Sequence, residues 1–162
     1  MARRVFHSFY YKEDSIRAAQ VRNIGAIEGN EPASPNEWEE VKAGGDPAIA
    51  KWIAGQLVGR TCTVVLVGEN TAGRKWINHE IIESWKKNMG VVGVCIHNLK
   101  SFDKQSSKGR NPFDDLRFGD KSFSSIVKLH DPPYSDSRQV YAHIADNMAR
   151  WIEEGIAIRK QY

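Results

Sequence analysis

With 162 residues, 27% charged and 41% hydrophobic, the chain is long enough to bury a core within one domain, and a single domain over 1–162 is expected. Its net charge of +3 is mild and its basic residues are scattered, which disfavours nucleic acid. No run of about 18 apolar residues is present to span a membrane, and Met1-Ala2-Arg3-Arg4 leads into a strand-like segment without the apolar stretch of a signal peptide, so a cytoplasmic protein is expected.

Arg4 to Tyr11 reads as a first strand, rich in Val, Phe and Tyr. Glu13-Asp14-Ser15 suits a helix N-terminus, and Ile16, Ala19, Gln20 and Asn23 continue a helical register. Residues 25–45 hold four Gly and two Pro and predict a long loop with a weak edge strand near Ile24–Glu28. A loop of that length in a compact domain is often functional. Asp46-Pro47 opens the next helix, with Asp as N-cap and Pro at the first helical position. Its apolar stripe is Ile49, Trp52, Ile53 and Leu57.

Thr61–Gly68 is nearly continuous Val and Leu, the pattern of a central parallel strand covered on both faces. A helix carrying Glu80 follows, with Ile77, Ile81, Ile82, Trp85 and Met89 toward the core, and then a second buried strand, Val91–His97. Residues 98–121 are polar and show no period. A short strand is expected at Ser125–Leu129, and a final helix over about 136–158 buries Val140, Ile144, Met148, Trp151 and Ile152. The two cysteines, Cys62 and Cys95, lie in apolar runs and read as buried reduced thiols. No Cys/His cluster has metal-ligand spacing, so no metal is expected.

Alternation of strands and helices around buried central strands predicts a doubly wound α/β sheet of about five parallel strands, flavodoxin-like, in the order 2-1-3-4-5. Ligands bind such sheets at the carboxyl ends of the strands, where the order reverses between strands 1 and 3. Topology therefore places a site between Ser8–Tyr11 and Gly68–Glu80, with Trp76 one helical turn before Glu80. A Walker loop, a G-x-G-x-x-G after strand 1 and an acidic cluster at the end of strand 1 are all missing from the sequence. Ser8 has no His/Asp partners set by spacing, which disfavours a hydrolase triad. His7, His79, His97, His130 and His143 are dispersed and read as surface or capping residues. On composition alone Glu80 is a helix-dipole residue, and Trp76 and Phe9-Tyr10-Tyr11 are packing residues.

Several stretches shift that balance. They are Arg3-Arg4-Val5-Phe6-His7-Ser8-Phe9, Val21-Arg22-Asn23, Trp38-Glu39-Glu40-Val41-Lys42, Thr63-Val64-Val65-Leu66-Val67-Gly68, Thr71 to Ile81, and Gly109-Arg110-Asn111-Pro112-Phe113-Asp114. In order and spacing they resemble the TIR-like family of the Thoeris antiviral sensors, over roughly residues 3–130. The resemblance implies a TIR-like fold and cleavage of the nicotinamide–ribose bond of NAD, which is then substrate and not cofactor. It implies Glu80 as catalytic residue, four after Trp76, and a cyclic ADP-ribose-type messenger that activates a separate effector protein. It also implies self-association to complete the active site. Ser8, Phe9, Tyr10 and Trp76 are the substrate-binding candidates: the aromatic rings for stacking and Ser8 for a hydrogen bond.

A carboxylate facing a ribosyl oxocarbenium ion stabilises the transition state more than the ground state. Capture of that cation by the same ADP-ribose gives a cyclic product and capture by water a linear one, and the sequence does not choose between them. The competing reading is a non-catalytic TIR-like self-assembly module. A response regulator or flavin protein on the same fold is a third, disfavoured by the missing acidic pair.

Overall fold

The computed structural model describes residues 3–24, 27–29 and 41–162. Of the expected loop at 25–45, residues 25–26 and 30–40 lie outside the described residues, and 41–43 are helical. The elements that build the main body are β1 (Arg3–Ser8), α1 (Tyr11–Arg22), β2 (Ile27–Gly29), α2 (Asp46–Leu57), β3 (Cys62–Val67), α3 (Lys75–Lys86) and β4 (Gly90–Cys95). A 3₁₀ turn at Pro112–Asp115 and a small antiparallel ribbon, β5 (Arg117–Phe118) with β6 (Lys121–Ser122), come next. The chain ends with β7 (Leu129–His130) and α4 (Ser137–Arg159).

The main sheet has five strands in the order β2-β1-β3-β4-β7, every pair parallel. This is the doubly wound arrangement expected, with its reversal between β1 and β3. Every residue of β3 and β4 is buried, because helices cover both faces. On one face Val5, Val64, Leu66, Val92 and Val94 pack against Ala18 and Val21 of α1 and Ile144, Met148 and Trp151 of α4. On the other, Val65, Val67 and Val91 meet Ile77, Ile81 and Trp85 of α3, and Phe6 meets Ile49, Ile53 and Leu57 of α2.

Several expectations are corrected. β1 ends at Ser8 and Tyr11 is already helical. The buried stripe of α1 is Asp14, Arg17, Ala18 and Val21, and none of Ile16, Ala19, Gln20 and Asn23, which continue the helical register in the sequence, is buried. The helix buries an ion pair in its stripe, which a search for apolar period alone misses. Asp46 is inside α2, and the N-cap is Gly45 at φ 81°. Ile82 is 41% exposed, because the stripe of α3 runs through Ile77, Glu80, Ile81, Ser84 and Trp85. The last strand is Leu129–His130, and Phe123–Ser125 is a 3₁₀ turn. His7 and His97 are buried. Among the described residues no helix is long and apolar enough to cross a membrane.

The adjacent isoleucines of α3 test this packing. Ile81 is fully buried and Ile82 is not. Ile81→Ala is expected to lower unfolding stability by about 2–5 kcal/mol, and Ile82→Ala by no more than about 0.5 kcal/mol, measured as shifts in urea midpoint at constant slope.

Candidate functional site

The site is assembled at the carboxyl ends of β1 and β3. β1 and β3 pair in register, Phe6 with Thr63 and Ser8 with Val65. Side chains alternate along a strand, so Phe6, packed against α2, and Ser8 share the face covered by α2 and α3. α3 brings Glu80 to that face within its buried stripe. A hydroxyl relay pins the helix there. Ser84 Oγ donates to the Glu80 carbonyl at 2.6 Å, which leaves the Thr63 hydroxyl of β3 to donate to Ser84 Oγ at 2.6 Å.

Glu80 is 8% exposed. Its Oε2 is buried without a hydrogen-bond partner, and so is the Ser8 hydroxyl. Burial pushes the carboxyl up to about 8, and the Ser8 hydroxyl, which faces it without reaching full hydrogen-bond geometry, is the smaller opposing influence. A carboxyl with a strongly perturbed pKa at a topological switch point is a functional-site candidate. The adjacent unpaired oxygens are the kind of polar vacancy that a ligand's hydroxyls can satisfy.

The remaining sequence candidates divide. The Tyr10 ring lies under the Arg74 guanidinium, 3.8 Å from the ring centroid, at the N-cap of α3. Phe9 does not join it: its ring packs against the core on the α1/α4 face and stacks with Tyr11 at 6.1 Å. Trp76 is half-buried against the Phe6–Ile49–Ile53 cluster and meets His79 edge-on at 5.2 Å. It lines a groove of about 570 Å³ between α2 and α3, with Asp46, Pro47, Ala50, Lys75, His79 and Ile82 among its walls.

Groups that the sequence reading passed over frame the site. The carboxylate of Asp14, 1% exposed, pairs with Arg17 at 3.1 Å. Burial raises the Asp14 pKa and the Arg17 guanidinium works against it. Arg17 also donates to the carbonyls of Leu99 at 2.8 Å and Lys104 at 3.0 Å, tying the loop after β4 to α1. The end of β3 fits into this frame only as glycine: a Cβ on Gly68 would lie 2.2 Å from Asp14 Oδ2. A Cβ on Gly109 would lie 2.2 Å from the Gly68 carbonyl. Thr71 Oγ1 accepts from the Gly68 amide at 2.8 Å, and Glu69 Oε1 accepts from the Ser107 amide at 2.8 Å. A shallow depression of about 320 Å³ beside this rim is lined by Glu69, Asn70, Ala72, Gly73, Arg74 and Arg110.

His7 is the other group missed. Both its ring nitrogens are buried without a partner, and burial, aided by Arg22 and Arg60, drops its pKa to about 3, so the imidazole is neutral. An i,i+3 acid–base pair at 14 and 17 was a readable signal. Nothing local marks His7.

Comparison with known proteins follows the same residues. The family model described as "Thoeris protein ThsB, TIR-like domain" matches residues 6–101, which run from the second half of β1 through β4 and include Ser8 and Glu80. Over 137 residues, 81% of this chain and 71% of the other, the sequence is 34% identical to a Bacillus cereus (strain MSX-D12) protein named "Putative cyclic ADP-D-ribose synthase ThsB1". With that family model spanning well over half of its length, and that relative aligned along four fifths of it, this chain belongs to the Thoeris ThsB family of TIR-like proteins.

Proposed function

We propose that this protein is an enzyme that breaks the bond between nicotinamide and ribose in NAD and closes the resulting ADP-ribosyl group into a cyclic nucleotide, a messenger for a separate effector in antiphage defence. The observation that carries the proposal is the buried Glu80 carboxyl, with one oxygen unpaired beside an unpaired Ser8 hydroxyl at the switch point of the sheet. The name of the Bacillus cereus relative supplies the product class.

Nicotinamide in NAD is already a cationic leaving group, so its departure needs little acid assistance. Positive charge develops on the ribose as the bond lengthens. An ionised Glu80 facing that charge, or accepting hydrogen bonds from the ribose hydroxyls, binds the transition state more tightly than the ground state. In a site dry enough to raise a carboxyl to about 8, this attraction is stronger than it would be in water. Ser8 serves as hydrogen-bond partner to the ribose. Tyr10, held by Arg74, offers a ring to stack on, with Trp76 as a further ring candidate. Exclusion of water favours closure onto the ADP-ribose itself over hydrolysis.

A second reading, self-assembly, is favoured by the groove between α2 and α3, where Trp76 and the exposed Ile82 sit side by side with Pro47. Association there is compatible with catalysis, since the groove adjoins α3 on its Trp76 side and leaves Glu80 buried. Assembly without any loss of NAD would replace the enzyme reading with that of a scaffold.

The test is nicotinamide release from NAD, with mass analysis of the nucleotide product, across a range of protein concentrations. Wild type is expected to turn over, and Glu80→Gln to lose at least about a hundredfold in rate. Turnover that survives Glu80→Gln would remove Glu80 from the chemistry.

The pH profile follows from the raised carboxyl. If the ionised form is the active one, kcat/KM rises with pH and levels off above about 8, where Glu80 loses its proton. Ser8→Ala moves the inflection upward, since the Ser8 hydroxyl holds the pKa down.

The same group sets a stability dependence of opposite sense. Folded Glu80 keeps its proton up to about 8, whereas the unfolded carboxyl titrates near 4.5. Its contribution is therefore complete below 4.5 and is lost as pH climbs toward 8. Glu80→Gln is expected to raise the thermal midpoint relative to wild type at pH 8 and to raise it much less at pH 4.5. An equal difference at both pH values would contradict this account.

A further inference from the structure

Across the sheet from Glu80, the ends of β4 and β7 bring together a sulfur, a nitrogen and an oxygen donor that the proposed chemistry does not use. Gly93 pairs with Leu129 and Val94 with His130 in the parallel register, and Cys95 and Asp131 each follow one residue beyond that last pair. Paired residues of parallel strands point to the same face, and His97, two residues beyond Cys95, returns to it. The Cys95 sulfur, one imidazole nitrogen of His97 and one carboxylate oxygen of Asp131 all lie within 4.8 Å of one another. Cys95 is 2% and His97 7% exposed. His97 Nδ1 is buried without a hydrogen-bond partner, which is costly for a polar atom that has no ligand to meet. Asp131 reaches solvent, so the cluster has an entry path.

We propose that Cys95, His97 and Asp131 form a binding site for a borderline divalent transition ion of the zinc class, with a fourth position left open. The mixed thiolate, imidazole and carboxylate set suits Zn²⁺ and disfavours Mg²⁺ and Ca²⁺, which take oxygen ligands. Tetrahedral ligands around zinc stand roughly 3.3–3.8 Å apart, which falls inside the 4.8 Å that bounds the three donors. Lys108, whose ammonium lies 2.9 Å from Asp131 Oδ2, occupies the position of the competing cation and is displaced. On binding, the Cys95 thiol gives its proton to solvent and its sulfur lone pair to the metal. Thiolate and carboxylate then balance the two positive charges.

Lys108 belongs to the loop whose Ser107 amide is held by Glu69 and whose Gly109 rests on the Gly68 carbonyl. A metal that frees Lys108 would therefore act on the same loop that closes the rim of the Glu80 site.

The experiment is a titration of protein purified without a histidine tag. Co²⁺ is expected to produce a thiolate-to-cobalt charge-transfer band that saturates at one equivalent and is abolished by one equivalent of Zn²⁺. Cys95→Ser removes the band. Because Cys95 is buried and that variant can fail to fold, two variants of exposed side chains decide independently. Asp131→Ala weakens zinc binding about tenfold or more. Lys108→Gln, which removes the competing cation, tightens it severalfold. The site is overturned if stoichiometric cobalt gives no thiolate band, or if zinc affinity moves in neither Asp131→Ala nor Lys108→Gln.

Discussion

Two strands with no exposed residue constrain the rest of this molecule. β3 and β4 bury every side chain they carry, and buried parallel strands are stable only when helices cover both faces of the sheet. That requirement puts α1 and α4 on one side and α2 and α3 on the other. Right-handed crossovers then have to reverse direction somewhere, and here they do so between β1 and β3. The crevice at that reversal is a consequence of covering the sheet, and Ser8 and Glu80 meet beneath it.

The crevice holds polar groups at some cost to the fold. Glu80 stands in the buried stripe of α3 between Ile77 and Ile81, where an apolar residue would pack with less penalty. Asp14 and Arg17 occupy the corresponding stripe of α1. The two cases are resolved differently. Arg17 is saturated by Asp14 and by carbonyls of the loop after β4, so the pair acts as a brace. Glu80 and Ser8 keep oxygens without partners. Asp14 also keeps Oδ2 without a partner, so what separates the two cases is the cation: Asp14 has the Arg17 guanidinium beside it, whereas only burial and the Ser8 hydroxyl act on Glu80.

The rim shows how closely the loops must approach for that arrangement. Gly68 ends β3 against the Asp14 carboxylate, and Gly109 of the loop after β4 lies on the Gly68 carbonyl. Neither position has space for a side chain, so the end of β3 is held against the Asp14 side chain of α1 and against the backbone of the loop after β4. The cluster at Cys95, His97 and Asp131 sits at the other end of the same loop, and Lys108 is the residue through which the two regions meet.

Local pattern carried much of this. The apolar runs of β3 and β4, the stripe of α4 and the position of Glu80 one turn after Trp76 are all legible in the sequence, because burial on a strand or helix imposes its period directly on residue type. The resemblance to the TIR-like family rests on the same residues, and the comparison with known proteins places the chain in it. What the sequence could not carry is whatever depends on a partner far along the chain. The stripe of α1 is invisible to a search for apolar period because it is half ionic. Phe9 and Tyr10 look alike as neighbours, yet the short link between β1 and α1 sends one into the α1/α4 core and the other toward Arg74. Cys95 and Asp131 are 36 residues apart, with only a cross-strand register to join them. By itself the sequence determined the layers, the strand order and the place of the carboxylate, since these follow from period and topology. Only the tertiary structure decided which polar atoms are left without partners and which distant donors converge, because both are set by register and loop packing.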